Sequence, residues 1–163
     1  MPRKPRIHIA GSFYHVIVRG NAGAPLFLED THRHHFYALL QEGSARFQYR
    51  VHAFCLMTNH VHLLLQVADI PLSRLMQNLT LRYSTWFNRK HRRIGHLFQG
   101  RYKAILIDAD TYLLELVRYI HLNPVRAKMV SIPDEYPWSG HRAFLGKEVQ
   151  PWHCTDYVLS LYD

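Results

Sequence analysis

Residues 50–67 read RVHAFCLMTNHVHLLLQV, two apolar runs that are separated only by Thr58 and Asn59. Apolar and β-branched side chains dominate both runs, and a two-residue separator is typical of a tight hairpin connection. The stretch therefore predicts two neighbouring antiparallel strands, Arg50–Met57 and His60–Val67. This hairpin lies near the middle of the chain, so the elements on either side of it decide the architecture.

The segment before the hairpin predicts a strand and a helix. Ser12–Arg19 mixes aromatic and β-branched residues and ends at a turn signal, which favours a strand. Residues 30–43 begin at Asp30, a typical N-cap, and carry an apolar stripe at helical spacing. Because Gly43 is a typical helix terminator, we expect the helix to end there.

The segment after the hairpin predicts a second helix, a fourth strand and a third helix. Apolar residues keep helical spacing after Pro71, and the basic stretch 88–100 contains two glycines, so we expect a helix and then a loop. Arg101–Ile107 is expected to be a strand, and Asp110 to cap a helix that Pro124 stops or follows with a short second helix. The order β-α-β-β-α-β predicts an α+β fold, a ferredoxin-like antiparallel sheet with an additional C-terminal helix.

Length and composition indicate one folded domain. The chain has 163 residues, of which 48% are hydrophobic and 20% charged. We expect a single domain over residues 1–163, with a core of about 5–130 and a C-terminal tail, 131–163, packed on it. No apolar run is long enough to cross a membrane, and none follows the basic N-terminus as a secretory signal requires. The two cysteines, Cys55 and Cys154, lack CxxC spacing, which favours a reducing cytoplasm.

The distribution of charge favours a polyanionic partner. The formal net charge is +8 with neutral histidines, and no acid occurs in residues 1–28 or between Asp69 and Asp108. Nucleic acid is the commonest such partner, and the alternative is a solvated basic face on an ordinary protein. The basic residues in the second acid-free stretch are Arg74, Arg82, Arg89, Lys90, Arg92, Arg93, Arg101 and Lys103.

Two histidines in the second strand of the hairpin are candidate metal ligands. Alternation along a strand puts His60 and His62 on one face, about 7 Å apart along the chain, where two imidazoles can converge on a divalent cation. Because the chain has 13 histidines, an HxH pattern arises about once by chance. His32-Arg33-His34 also matches, but it falls at the polar start of a helix, where such side chains diverge. Buried core histidines and a metal pair both remain open at this point.

A second candidate pair lies in the third helix. Tyr119 and Asn123 are four residues apart, so on a helix they share a face that is offset from the apolar stripe. They offer a phenol and an amide oxygen to one neighbourhood. The alternative is structural, since tyrosine is common at helix edges and asparagine before proline often ends a helix.

Four stretches together make the sequence resemble the REP-associated tyrosine transposases. These are relatives of the insertion-sequence 200-like transposases in the HUH single-tyrosine nuclease superfamily. The matching stretches are residues 14–21 (YHVIVRGN), 57–64 (MTNHVHLL), 95–103 (GHLFQGRYK) and 119–127 (YIHLNPVRA), with a weaker match at 136–139 (YPWS). The resemblance covers about residues 5–146, and the part after 146 has no counterpart in it.

The resemblance implies both a reaction and a set of site residues. His60 and His62 are the expected ligands of Mg²⁺ or Mn²⁺, Asn123 is the expected third ligand, and Tyr119 is the expected nucleophile on a catalytic helix. Insertion-sequence relatives carry Gln where Asn123 stands, which points to the REP-associated branch. Members of that branch cut single-stranded DNA beside hairpins flanked by a short tetranucleotide, leave a 5′-phosphotyrosine and a free 3′-OH, and rejoin strands. They can act as monomers.

DNA contacts are expected from basic and aromatic residues. Trp86, Phe98 and Tyr102 could stack on unpaired bases, although core packing is the alternative for the first two. Arg3, Lys4 and Arg6 could form a basic N-terminal arm that reaches a DNA groove, although such tails are as often merely solvated. The expected DNA-binding residues are Arg19, Arg82, Arg89, Lys90, Arg92, Arg93, Arg101 and Lys103.

Three functions follow in order of expectation. The first is a metal-dependent single-stranded DNA endonuclease and strand transferase, a transposase that acts in the cytoplasm near the nucleoid as a monomer or homodimer. The second is a nucleic-acid-binding protein or repressor without turnover, derived from such an enzyme. The third, a metal-dependent phosphohydrolase of small substrates, would need more carboxylate ligands than the predicted strands offer.

Overall fold

The computed structural model describes residues 7–162, so the expected basic arm at Arg3, Lys4 and Arg6 lies outside the described residues. Four strands form one antiparallel sheet in the order β2-β3-β1-β4. The strands are β1 (Phe13–Arg19), β2 (Arg50–Leu56), β3 (His60–Gln66) and β4 (Lys103–Ile107). The helices are α1 (Asp30–Phe47), α2 (Leu72–Lys90), α3 (Ala109–His121), α4 (Asn123–Arg126), α5 (His141–Phe144) and α6 (Asp156–Ser160). This confirms the ferredoxin-like α+β sheet that the element order predicts.

The two faces of the sheet are covered differently. Even-numbered positions of β1, such as Val16 and Val18, pack with Val61 and Leu63 of β3 into a core that α1 and α2 close. The other face carries Phe13 of β1 and a smaller apolar cluster under α3 and the C-terminal region. Because α3 covers only part of that second face, Arg19 and Lys103 on it are exposed and His60 is half-buried, whereas His15 and His62 are buried.

Helix α1 is longer than the sequence predicts. It continues through Gly43 to Phe47 and ends where Gln48 takes a left-handed backbone with φ of 57°. Gly43 serves packing instead, because a Cβ at this position would lie 2.5 Å from the Tyr49 hydroxyl oxygen. The expectation of a helix end at Gly43 was therefore wrong, since the glycine makes room for a tertiary contact. The N-cap is Glu29 rather than Asp30.

Two other predicted boundaries also shift. Helix α2 ends at Lys90, so the loop that was expected to begin at Asn88 begins three residues later, at His91. Helix α3 is capped by Asp108, whose carboxylate accepts a hydrogen bond from the backbone N–H of Asp110. The expected cap at Asp110 was therefore wrong by two residues, because Asp108 and Asp110 are both residues that typically cap a helix.

The C-terminal region lies against the edge strand β2. The backbone N–H of Leu56 donates to the carbonyl of Trp138, and the N–H of Cys154 donates to the carbonyl of Val51. Trp152 packs into the core under α1 with 4% of its surface exposed. These contacts cover the free edge of β2, which would otherwise offer unpaired backbone groups. Within residues 7–162, no helix is both long and apolar enough to cross a membrane.

Candidate active site

Three histidines meet on the sheet face that α3 partly covers. In the antiparallel register, His60 lies opposite Arg19 and His62 opposite Ile17, so odd-numbered residues of β1 share their face. The ring centroids of His60 and His62 are 5.1 Å apart, and those of His62 and His15 are 5.2 Å apart. Strand alternation correctly predicts that His60 and His62 point the same way. His15 joins them from the neighbouring strand.

Helix α3 places Tyr119 above these histidines. Leu113, Val117 and Ile120 bury the opposite stripe of the helix against the sheet, which turns Tyr119 toward its uncovered part. The Tyr119 ring centroid lies 6.1 Å from the centroids of both His15 and His62. Its side chain is 47% exposed, so an incoming substrate can reach the phenol. The nearby His121 is 4% exposed and lies inside the fold, so the structure gives it no contact with that phenol.

Hydrogen bonds occupy one ring nitrogen of each strand-β3 histidine. The Nδ1–H of His60 donates to the side-chain oxygen of Asn59 over 2.8 Å, and Nδ1 of His62 lies 2.9 Å from Nε2 of His15. Among the described residues, neither His60 nor His62 has a hydrogen bond at Nε2. Metal-binding histidines typically have this arrangement, with one nitrogen held by a neighbour and the other left for the cation.

Burial keeps all three imidazoles neutral. Burial, and then the charges of neighbouring histidines, of Arg19 and of Arg126, lower the pKa of His62 to about 3. Burial and Lys103 lower the pKa of His15 to about 4, and burial followed by Arg19 lowers the pKa of His60. Neutral imidazole is the form that binds metal ions, so these rings are ready ligands at neutral pH.

Asn123 lies just beyond the end of α3, the helix that carries Tyr119. Helix α3 ends at His121, and Asn123 opens the short helix α4 after a single intervening residue. The sequence predicts that Asn123 and Tyr119 lie on one continuous helix. In the structure they lie on two successive helices, α4 and α3. Its side-chain Nδ2 is buried and has no hydrogen-bond partner within residues 7–162. Rotation of the amide by 180° puts the oxygen at that position with its lone pairs free.

The expected ligands of the metal ion, His60, His62 and Asn123, combine imidazole nitrogens with an amide oxygen. Within the described part of the chain, no three side chains drawn from His, Cys, Asp and Glu are arranged to hold a metal ion. Two imidazoles with free Nε2 atoms and the Asn123 amide would supply two nitrogen donors and one oxygen donor, all without charge. Imidazole donors favour Mn²⁺ over Mg²⁺, and water and phosphate oxygens would have to supply the remaining ligands of either ion.

Arg126 is a neighbour of Tyr119 that residue-by-residue reasoning missed. Its guanidinium carbon lies 4.1 Å from the Tyr119 ring centroid, and its Nη2 donates a hydrogen bond to the Tyr119 backbone carbonyl. The signal was present in the sequence, because Arg126 follows Tyr119 by two helical turns within the YIHLNPVRA stretch. His15 was likewise within the quoted YHVIVRGN stretch, but only the strand register shows its contact with His62.

A family model for IS200-like transposases matches residues 9–123, more than half of the chain. The chain belongs to the IS200-like transposase family. It is 25% identical over 128 residues to a Haemophilus influenzae protein assigned as a REP-associated tyrosine transposase, covering 71% of this chain and 72% of that protein. Its fold matches a solved REP-associated tyrosine transposase bound to a REP hairpin, with a TM-score of 0.76, 16% identity and coverage of 94% and 92% of the two chains. The resemblance seen in the motifs is thereby confirmed, and membership implies a DNA-processing enzyme.

The transposase carries its expected DNA-binding residues in three places. Arg19 and Lys103 flank the histidines, since Arg19 lies opposite His60 and Lys103 opposite Ile17 in the sheet register. A second group, at the end of α2 and in the segment after it, makes no ion pair with another described residue. Its members are Arg89, Arg92, Arg93 and Arg101.

The remaining two predicted residues have partners. Arg82 forms an ion pair with Glu42 at 2.7 Å, and Lys90 forms one with Glu29 at 2.9 Å. Both pairs join α2 to α1 or to the start of α1. DNA binding by these residues would have to break or share an existing pair, so Arg82 and Lys90 are the weakest members of the predicted set.

A groove runs beside the site between α2 and residues 95–102. Its volume is about 820 Å³, and Arg19 and Arg101 line it together with His96 and Phe98. Arg19, at the end of β1, lines the groove and lies opposite His60 in the sheet register, whereas Tyr14 and Val18, which also line the groove, point to the face that α2 covers. Of the aromatic residues expected to stack on bases, Phe98 and Tyr102 line this groove, whereas Trp86 stacks on His35 with ring centroids 3.9 Å apart.

Proposed function

We propose that this transposase is a metal-dependent single-stranded DNA endonuclease and strand transferase that acts on hairpin-flanked DNA through a 5′-phosphotyrosine intermediate. Tyr119 is the nucleophile, and His60, His62 and Asn123 are the ligands of Mg²⁺ or Mn²⁺. One observation carries the proposal: a half-exposed phenol stands 6.1 Å, centroid to centroid, from His62, which keeps a ring nitrogen free.

The reaction is a transesterification in both directions. The Tyr119 oxygen attacks the phosphorus of the scissile phosphodiester, the bond to the upstream 3′ oxygen breaks, and that oxygen leaves as a 3′-OH after taking up a proton. The phenolic proton passes to water or substrate, and the DNA 5′ end stays on Tyr119. A bound divalent cation supplies Lewis-acid stabilisation of the phosphate charge. Attack by a 3′-OH on the phosphotyrosine reverses the step and joins strands.

The residues around the site are suited to hold the DNA. Arg19 and Lys103 flank the histidines, where their charge can neutralise phosphates next to the scissile bond. The groove lined by Arg101 and Phe98 can take an unpaired strand through backbone contacts and base stacking. A related transposase binds a REP hairpin, which supports a hairpin as the partner of this chain.

A labelled hairpin oligonucleotide on a denaturing gel tests the proposal. Wild type with Mn²⁺ or Mg²⁺ is expected to give a shortened product and a slower-moving protein–DNA adduct, and EDTA is expected to abolish both. Tyr119→Phe should give neither. Tyr112→Phe is the matched control, because Tyr112 lies on the same helix and is 58% exposed. An adduct formed by Tyr119→Phe would overturn the assignment of the nucleophile.

A second candidate is a DNA-binding protein or repressor without turnover. The arginines at and after the end of α2, which make no ion pair with another described residue, favour it, because they would bind DNA whether or not strands are cut. Hairpin binding with no metal-stimulated cleavage on any hairpin from beside the gene would support this candidate. Either activity places the protein on DNA, as a monomer or homodimer associated with the nucleoid.

A further inference from the structure

We propose that His15 is a positioning residue that fixes the proton of His62 on Nδ1 and thereby leaves its Nε2 free for the cation. The proposal rests on the function proposed above, in which His62 is a ligand. No sequence motif assigns a role to this histidine, and the HxH pair does not include it.

The contact between the two rings is short and protected from water. His15 Nε2 and His62 Nδ1 are 2.9 Å apart, the rings are nearly parallel at 22°, and the two residues are 6% and 3% exposed. His15 stands on β1, between β3 and β4, so its backbone is held by strands on both sides. Among the described residues, His15 is the only hydrogen-bond partner of the His62 ring.

A hydrogen bond between two neutral imidazoles needs one donor and one acceptor. When Nδ1–H of His62 donates to Nε2 of His15, the Nε2 lone pair of His62 is available to a cation. When His15 donates instead, the proton of His62 sits on Nε2, the atom that would have to bind. Only the first arrangement is compatible with metal binding.

His60 also has its proton on Nδ1, where it is held by a different partner. Its Nδ1–H can only donate to the side-chain oxygen of Asn59, which leaves Nε2 of His60 free. If His15 accepts from His62, both histidines of the HxH pair present the same ring atom. The Tyr119 ring contacts both members of the buried pair at 6.1 Å between centroids, so the pair also forms the surface beneath the nucleophile.

Histidine tautomers can be measured directly on the full chain without metal. Long-range ¹H–¹⁵N spectra at pH 7.5 are expected to show His62 protonated at Nδ1 in wild type. In His15→Phe the acceptor is gone and a mixture of both tautomers is expected. His15→Gln supplies a side-chain oxygen at a similar reach and is expected to restore the Nδ1–H form.

Manganese affinity is the second measurement. His15→Phe is expected to bind Mn²⁺ about 10–100-fold more weakly than wild type, the usual cost of losing a hydrogen bond to a ligating histidine, and His15→Gln to recover most of the loss. His32→Phe is the matched control, because His32 is fully buried and also bonds another histidine, but lies on the other side of the sheet. It should leave Mn²⁺ affinity unchanged.

Four outcomes bear on the proposal. A His62 protonated at Nε2 in wild type, or equal Mn²⁺ affinity in wild type and His15→Phe, overturns the proposal. If wild type binds neither Mn²⁺ nor Mg²⁺, the proposed metal-dependent function fails, whereas the tautomer series still decides the role of His15. Should circular dichroism show that His15→Phe is unfolded, His15→Gln against His15→Leu gives the same test, and failure of Gln to retain the Nδ1–H form overturns it.

Discussion

Two pairs of hydrogen-bonded histidines lie on opposite sides of the same sheet. His15 and His62 are 2.9 Å apart on the face under α3, and His32 and His91 are 3.0 Å apart where the start of α1 meets the end of α2. Both pairs include a histidine from an HxH sequence pattern. Their distances are nearly equal, so the short contact does not distinguish a site from a structural pair.

The two pairs differ in whether the histidine of the HxH pattern keeps a ring nitrogen without a hydrogen bond to another described residue. Nδ1 of His32 accepts a hydrogen bond from the backbone N–H of Leu28, so the neutral ring carries its proton on Nε2 and donates it to His91. Both nitrogens of His32 are then used. His62 keeps its Nε2 and lies 6.1 Å from the ring centre of a half-exposed tyrosine. The free Nε2 of His62 near an exposed tyrosine, and not the short contact between two histidines, is therefore what makes this pair a candidate site.

The largest expected effect follows from removing that free nitrogen. His62→Gln is expected to lower the rate of hairpin cleavage by about 10²–10³-fold or more, because charge stabilisation at the scissile phosphate is lost. His32→Phe should change the rate less than about threefold, since no atom of His32 faces the site. Single-turnover cleavage on a denaturing gel measures both. Equal losses in the two variants would contradict the contrast between the pairs.

The free energy of unfolding should depend more on His32 than on His62, the reverse of the order expected for the cleavage rate. His32→Ala removes the acceptor of the Leu28 N–H and the partner of His91, so its free energy of unfolding should fall by about 1–3 kcal/mol. His62→Gln keeps a hydrogen-bonding group and fills most of the volume, so it should cost less. Urea denaturation followed by circular dichroism measures the two values. A larger loss in His62→Gln would show that His62 is the structural histidine.

Local sequence patterns predict the features of the candidate site that depend on neighbouring residues of one strand or hairpin. The hairpin follows from two apolar runs with a two-residue separator, and alternation along β3 puts His60 and His62 on one face. The role of His15 depends on the pairing of β1 with β3, which joins residues 47 positions apart. Similarly, His32 falls at a helix start that the sequence marks as polar, yet α2 buries it completely.

The ion pairs of two predicted DNA-binding residues have the same cause. Arg82 and Lys90 belong to a basic stretch without acids, so the sequence indicates free positive charge. Their partners Glu42 and Glu29 lie on or beside α1, more than 35 residues away in sequence, and only the packing of α1 on α2 brings them together. Pairings of this kind are set by the tertiary fold and leave no local signal.

The two pairs should also differ in how they couple stability to pH. Burial lowers the pKa of His62 to about 3, below the 6.5 of an unfolded histidine, so between about pH 6.5 and 3 the unfolded chain binds more protons. Stability should therefore be full above pH 6.5 and fall as the pH drops through this range. Burial lowers the pKa of His32 as well.

His62→Gln is expected to flatten this dependence between pH 6.5 and 4.5, measured as free energies of urea unfolding at four pH values in EDTA. His62 is the more strongly shifted of the two, so His32→Gln should flatten it less. Parallel curves for His62→Gln and wild type would show that folding does not lower the pKa of His62, which would contradict a neutral buried pair.

The smallest expected effect concerns the residue that holds the phenol over the first pair. The Arg126 guanidinium lies 4.1 Å from the Tyr119 ring centroid, and an exposed cation–π contact contributes about 0.5–1 kcal/mol. Arg126→Ala should therefore slow adduct formation only about two- to fivefold if its role is to position the ring. Arg118→Ala is the control, because Arg118 is exposed on α3 beside Tyr119 in sequence and has no contact with its ring. A loss above about 100-fold in Arg126→Ala would instead indicate that the guanidinium binds the scissile phosphate, since charge lost at a reacting phosphate costs far more than ring packing.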